Sequence, residues 1–166
     1  IRHPEYALSV AEMLEHEQPQ LMPMVTAFDG YVEEPGRVSS TCLVSVARNH
    51  YSVPCELAGR LISKRLYPER IEIVFDDAVV ASHPRRFERG QTCYDWRHYL
   101  SLVERKPGAL RNGAPFAGMP ESLIRLQRLL LKRDGGDRVM SQMLAVVPKA
   151  GLEAVRIGGH LAAGIE

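Results

Sequence analysis

Seven cations and four aromatic rings are interleaved between His83 and Phe116, in the stretch HPRRFERGQTCYDWRHYLSLVERKPGALRNGAPF. The cations are Arg85, Arg86, Arg89, Arg97, Arg105, Lys106 and Arg111, against three acids, Glu88, Asp95 and Glu104. The rings are Phe87, Tyr94, Tyr99 and the single tryptophan, Trp96. Guanidinium and ammonium groups neutralise phosphates, and flat rings can stack on bases, so the mixture suits a nucleic-acid partner. The competing account is a solvated Arg-rich segment with a few core anchors. Trp96, beside a helix start, fits that second account better, because a lone tryptophan there packs more often than it stacks.

Other chemistry finds little support. Ser, Cys, His and acids are all present, but no G-x-S-x-G elbow occurs, and sequence alone does not bring a nucleophile to a base. Gly135-Gly136 is not followed by the Gly-Lys-Ser/Thr of a phosphate-binding loop. His3/Glu5 and Glu15/His16/Glu17 lack further ligands at helical spacing and read as a solvated acidic face. Asp76-Asp77 lies between two strand patterns, where a turn is the simpler role. His83 and His98 are expected to pack or to meet phosphate. No catalytic residue and no metal ligand is assigned.

Charge is unevenly distributed although the net charge is only +1. Residues 1–36 hold seven acids and one cation, whereas residues 37–112 hold thirteen cations and eight acids. A basic middle behind an acidic leader suggests a localised anion-binding face. No apolar run approaches the ~18–20 residues of a membrane span. The three cysteines, Cys42, Cys55 and Cys93, fit no zinc spacing and are expected to be reduced thiols of a cytoplasmic protein. The chain starts without Met and in mid-phrase, so a piece of a longer protein is expected.

The elements that must carry these residues follow from periodicity. LSVAEMLEHE (residues 8–17) predicts a short helix with Ser9 and Glu12 as a capping box. Prolines 19, 23 and 35 make the next segment an extended linker, anchored by Leu21, Met22, Met24 and Phe28. From Arg37 alternation predicts strands. The first is RVSSTCLVSVARN, with a turn at Arg48-Asn49-His50 and a return through Tyr51–Val53. Leu61–Leu66, RIEIVF and AVVASH follow, the last two joined by a tight turn at Asp76-Asp77. About five short strands in so short a span point to a small antiparallel barrel, SH3-like first and OB-like second. Asp95 is expected to cap a helix through WRHYLSLVERK, ended by Pro107-Gly108. SLIRLQRLLLKR forms an amphipathic helix burying Leu123, Leu126 and Leu130, with Leu129 alongside. Asp134-Gly135-Gly136-Asp137 stops it and caps another helix, RVMSQMLAVVPKAG, before a weakly helical tail. The fold class is thus α+β: a linker over 1–36, a small barrel over 37–84, and a basic segment with helices over 85–166.

Three long phrases carry a family resemblance: RNHYSVP, YDWRHYL and ERKPGALRNGAPF. With the segments around them, from HPE to the helical tail, they resemble the C-terminal region of IstA-type transposases, the larger proteins of a two-gene family of bacterial insertion sequences. The resemblance implies an upstream RNase H-like integrase core whose acidic DDE triad binds two divalent metals, with Mg expected there and no cofactor in the present residues. No acid here matches a triad position. It also implies strand transfer of transposon ends into target DNA, self-association in a synaptic complex, and cooperation with an AAA+ ATPase helper. On this basis Arg85, Arg86, Arg89, Arg97, Lys106 and Arg111 are expected to contact phosphate, with Arg48, Lys64 and Arg65 as candidates on the barrel. An interaction module for multimerisation or helper docking is the alternative, and a self-sufficient enzyme the weakest reading.

Overall fold

The computed structural model describes residues 7–23 and 29–151. Expectations for the HPE leader, for Met24 and Phe28, and for the tail from 152 on fall outside these. The chain separates into two compact units, residues 1–30 and 31–166.

In the first unit, α1 spans Val10–Glu17 and is followed by a 3-10 turn at Gln18–Gln20. The capping box is present: the Ser9 hydroxyl accepts from the Glu12 amide at 3.3 Å, and Glu12 Oε2 accepts from the Ser9 amide at 2.7 Å. Such reciprocal capping satisfies two amides that a helix start would leave open. No residue of α1 is buried.

The second unit is α+β. Its strands are β1 (Val32–Arg37), β2 (Leu43–Val46), β3 (Asn49–Ser52), β4 (Leu61–Leu66), β5 (Arg70–Phe75), β6 (Ala78–Pro84) and β7 (Thr92–Cys93). They form a four-stranded antiparallel sheet ordered β1-β4-β5-β6 and a three-stranded sheet ordered β2-β3-β7. In the smaller sheet β3 pairs antiparallel with β2 and parallel with β7. Inward residues of both sheets meet in one core: Val44, Val46 and Tyr51 from the smaller sheet and Ile62, Ile71, Ile73 and Ala81 from the larger, joined by Val38 after β1 and Val53 after β3.

Three details depart from the periodicity. The segment expected as linker ends in β1, which pairs along β4 from Val32↔Leu66 to Arg37↔Leu61. The long alternating run from Arg37 is broken over 39–42 by a turn. There the Ser39 hydroxyl accepts from the Leu43 amide at 3.0 Å and Cys42 takes φ 62°, a local serine turn competing with the ladder. The hairpin between β2 and β3 turns at Ala47-Arg48, both at positive φ, because Val46 already pairs with Asn49. Asp76-Asp77 turns as expected, with φ 47° and 60°, the two-residue geometry that matches strand twist.

The helical part is built on 3-10 turns at Trp96–Tyr99 and Pro107–Arg111 and on three helices, α2 (Leu100–Arg105), α3 (Glu121–Leu130) and α4 (Gly136–Ala145). Asp95 caps as expected, accepting from the Arg97 amide at 3.0 Å. Trp96, Tyr99, Val103, Leu110, Phe116, Leu123, Leu126, Met140 and Leu144 form a second core, to which Cys42 and Cys55 also belong. Leu130 is half-buried and Leu129 is exposed. Ser141 Oγ donates to the Val103 carbonyl at 3.0 Å, fixing α4 on α2.

At the α3–α4 junction the cap is Gly135, at φ 71°, and neither Asp134 nor Asp137 caps the helix. The next residue, Gly136, is buried, and a Cβ on it would stand 1.7 Å from the Leu130 carbonyl oxygen. Gly136→Ala is therefore expected to destabilise the chain by at least ~2 kcal/mol, since backbone must move to admit the methyl. Ala at exposed Gly108, where an added Cβ meets nothing within 4 Å, should change stability far less; urea unfolding of the two variants checks the contrast.

Candidate nucleic-acid interface

The nine candidate cations divide by what their charge already meets. Lys64 is nearly buried and its ammonium bonds Glu34 at 3.1 Å. Arg65 lies 3.5 Å from Glu33 and 4.9 Å from the centre of the Tyr31 ring. Arg97 grips Asp95 through both carboxylate oxygens, at 2.5–3.0 Å. Arg85 is half-buried and donates to the Tyr67 carbonyl at 2.9 Å. These four are engaged within the chain. Lys106 and Arg111 are exposed on the segment following α2. Arg48, Arg86 and Arg89 are exposed, and none has an ion pair among the described residues.

The backbone segments that carry Arg48, Arg86 and Arg89 are tied to each other through one buried side chain. Asn49, fully buried, begins β3 directly after the turn holding Arg48. Its amide nitrogen donates to the Arg86 carbonyl at 2.9 Å, and its oxygen accepts from the Gln91 amide at 2.9 Å. The strap of residues 85–91 is fastened further by Arg85 N–H to the Glu69 carbonyl, Arg86 N–H to Tyr51 Oη, Gly90 N–H to the Arg48 carbonyl and His50 N–H to the Gln91 carbonyl, all at 2.8–3.1 Å. The turn bearing Arg48 and the strap bearing Arg86 and Arg89 are thus joined through their backbones beside the small sheet.

The rings behave differently from one another. Trp96 and Tyr99 are buried and Tyr94 is half-buried against the helical core. They anchor the helices. Phe87, in the middle of the strap, is 77% exposed. Sequence reasoning missed Asn49 and Tyr51 as organisers of the site; the one available signal was an Asn just after a turn.

The histidines pack. His83 Nε2 lies 2.7 Å from the Ser52 carbonyl, so Nε2 carries the proton. Ser52 Oγ accepts from the Asp95 amide at 2.7 Å and shares a hydrogen bond of 2.9 Å with His98 Nδ1. Ser, His and Asp are adjacent here, but Ser52 is fully buried and the Asp95 carboxylate faces Arg97. The arrangement is a structural knot joining β3 to the Asp95 cap. Burial lowers both imidazoles, His98 to about 4; Asp95 and the Ser52 backbone oppose the shift in each, Arg97 adds to it in each, and His83 adds to it in His98. Burial alone would raise the Asp95 carboxyl, but its bonds to Arg97 hold it below its ordinary value. Burial likewise pushes the Cys42 thiol up to about 11, so it is an inert core thiol.

Among the described residues no three His, Cys, Asp or Glu side chains gather as a metal-holding set, and no metal-dependent step is assigned to them. None of their helices is long and apolar enough to cross a membrane.

Comparison with known proteins adds the family. Residues 22–95 match the model of the Mu transposase C-terminal domain. The chain is 49% identical over 152 residues to a transposase for insertion sequences IS1326/IS1353 of Pseudomonas aeruginosa, and equally to one of Shigella flexneri. These alignments cover 89% of this chain and 30% of the relative. A transposase of Aminobacter aminovorans is 48% identical over 158 residues, covering 92% of this chain and 31% of that protein. Over most of its length the chain is thus similar to one part of insertion-sequence transposases. It spans about three tenths of the length of the curated relatives it matches. No solved structure matches it significantly.

Two measurements test the site. Asn49→Ala leaves the Arg86 carbonyl and the Gln91 amide without their partner and should cost about 1–3 kcal/mol, with hydrogen exchange speeding at residues 86–91. Separately, both histidines have folded pKa values below the ordinary 6.5. Below that pH the unfolded chain takes up protons that the folded chain refuses. Stability is therefore complete above pH ~6.5 and falls as pH drops toward about 4. Thermal unfolding at pH 7 and pH 5 should show the loss, and His98→Gln should flatten the dependence.

Proposed function

We propose that this chain is a non-catalytic DNA-binding and assembly module of an insertion-sequence transposase. The observation that carries the proposal is that the buried amide of Asn49 ties the turn bearing Arg48 to the strap bearing Arg86 and Arg89, three exposed cations with no ion pair among the described residues. Exposed guanidinium groups carried on backbone that is itself held in place suit the phosphates of a duplex, which position a protein without reading sequence. Lys106 and Arg111, exposed on the segment after α2, supply two further cations. The two sheets around their common core act in this reading as an SH3-like barrel that carries the cationic edge. Catalysis and its divalent metals would reside in an integrase core outside this chain. The DNA would be the transposon end, with target DNA as a further partner.

A second role rests on a different surface. Between α3 and α4 lies a cleft of about 270 Å³ lined by Leu126, Leu129, Leu130, Val139 and Met143 among others, with Leu129 and Val139 about half exposed. Self-association or docking of an AAA+ ATPase helper would cover such a face. Sedimentation of the chain with and without the helper tests this role; a monomer that ignores the helper counts against it.

For the DNA reading, affinity for duplex should fall steeply with salt. Arg48→Ala, Arg86→Ala and Arg89→Ala combined should reduce the magnitude of the log–log salt slope by about 2–3, as each phosphate contact contributes ~0.9. An unchanged slope in a folded triple variant would overturn the assignment of these three residues.

A further inference from the structure

Phe87 is the one large aromatic of the basic stretch that the fold does not use. Its ring is 77% exposed, whereas Trp96 and Tyr99 are 7% and 5% exposed. Exposure in a mobile loop would mean little. Here the backbone on both sides is fastened: Arg85 and Arg86 by their amides to Glu69 and Tyr51, Gly90 and Gln91 to Arg48 and Asn49. The Arg85 guanidinium, itself held by the Tyr67 carbonyl, stands 5.4 Å from the centre of the ring. A large apolar side chain is thus presented on a rigid backbone with unpaired cations at positions 86 and 89. Phosphate-binding cations alone do not require such a ring, and the rigid setting lowers the entropy that stacking would cost.

Building on the DNA-binding reading above, we infer that Phe87 stacks on a nucleobase that has lost its pair or its neighbour, while Arg86 and Arg89 hold the flanking phosphates. A π-face between cations is the pattern that grips unpaired bases without regard to sequence. A protein partner would also cover a phenylalanine, but three exposed guanidinium groups with no ion pair among the described residues favour a polyanion. The favoured ligand is therefore a duplex carrying an unpaired or frayed position, as arises where DNA is nicked, bulged or ended.

The test compares the whole chain on a fully paired duplex and on the same duplex with two unpaired thymines, at one salt concentration. The chain and Phe87→Tyr should bind the unpaired form about tenfold or more tightly, as one stacked base implies. Phe87→Ala and Phe87→Leu should lose that preference yet keep their affinity for paired duplex. Equal affinity of the unaltered chain for both DNAs overturns the inference. So does a preference that survives in Phe87→Ala, or one kept fully by Phe87→Leu, which would mean apolar contact without stacking. If Phe87→Ala changes neither affinity, the ring serves another partner, such as a protein, and the inference fails. The combined alanine variant of Arg48, Arg86 and Arg89 separates the two levels. Unchanged affinity of that variant for paired duplex removes the DNA reading itself, whereas weakened binding without any role for Phe87 removes only the stacking.

Discussion

The amide of Asn49 makes two of the hydrogen bonds that fasten the strap of residues 85–91. One reaches the carbonyl of Arg86 and the other the amide of Gln91. Both partners are backbone groups thirty-seven and forty-two positions away, so a single buried side chain closes a long-range loop. Burying a primary amide is costly unless its donor and acceptor are both satisfied. Here that requirement fixes the path of the strap, and the path of the strap decides where Arg86, Phe87 and Arg89 emerge. The cationic edge is therefore a by-product of polar satisfaction in the interior. Its side chains are free to be selected for what they touch outside.

A second polar knot holds the sheets to the helices. Ser52 offers its carbonyl to His83 and its hydroxyl to His98 and Asp95. Asp95 in turn starts the 3-10 turn that leads into α2. The Tyr99 hydroxyl donates to the Thr41 carbonyl at 3.1 Å, and Cys55 Sγ meets Ser101 Oγ at 3.0 Å. These contacts explain why Cys42 and Cys55, which lie among the strands in sequence, belong to the helical core in space. Sheet and helical parts share side chains, so the histidine pair senses pH at the seam rather than at a surface.

Much of this was legible in the residues, and what was not has identifiable causes. Ser9 with Glu12, Asp95 before Trp96, and the Asp76-Asp77 turn announce themselves because capping and tight turns are local chemistry. Strands β4 to β6 follow from clean alternation around Ile62, Ile71 and Ile73. Strand β1 does not, because Val32–Arg37 reads VEEPGR and owes its conformation to pairing with β4 alone. Two residues of β7 gave no periodic signal at all. Within the candidate site, sequence located the basic stretch but could not tell a free guanidinium from an engaged one. Arg85 and Arg86 are neighbours, yet one is held by the Tyr67 carbonyl and the other is exposed. That difference is set by tertiary geometry, as is the separation of Phe87 from the buried rings.

Strand β1 also has a bearing on assembly. It is an end strand of its sheet, and open edges invite another strand to add. Pro35 has no amide hydrogen and interrupts the row of donors there. Glu33 and Glu34 lean instead across β4, toward Arg65 and Lys64. A neighbouring copy approaching this edge meets a broken hydrogen-bonding template, so sheet extension there is discouraged. Were several copies of the chain held close together, such an edge would leave their order to side-chain surfaces instead of backbone pairing, which does not discriminate between partners.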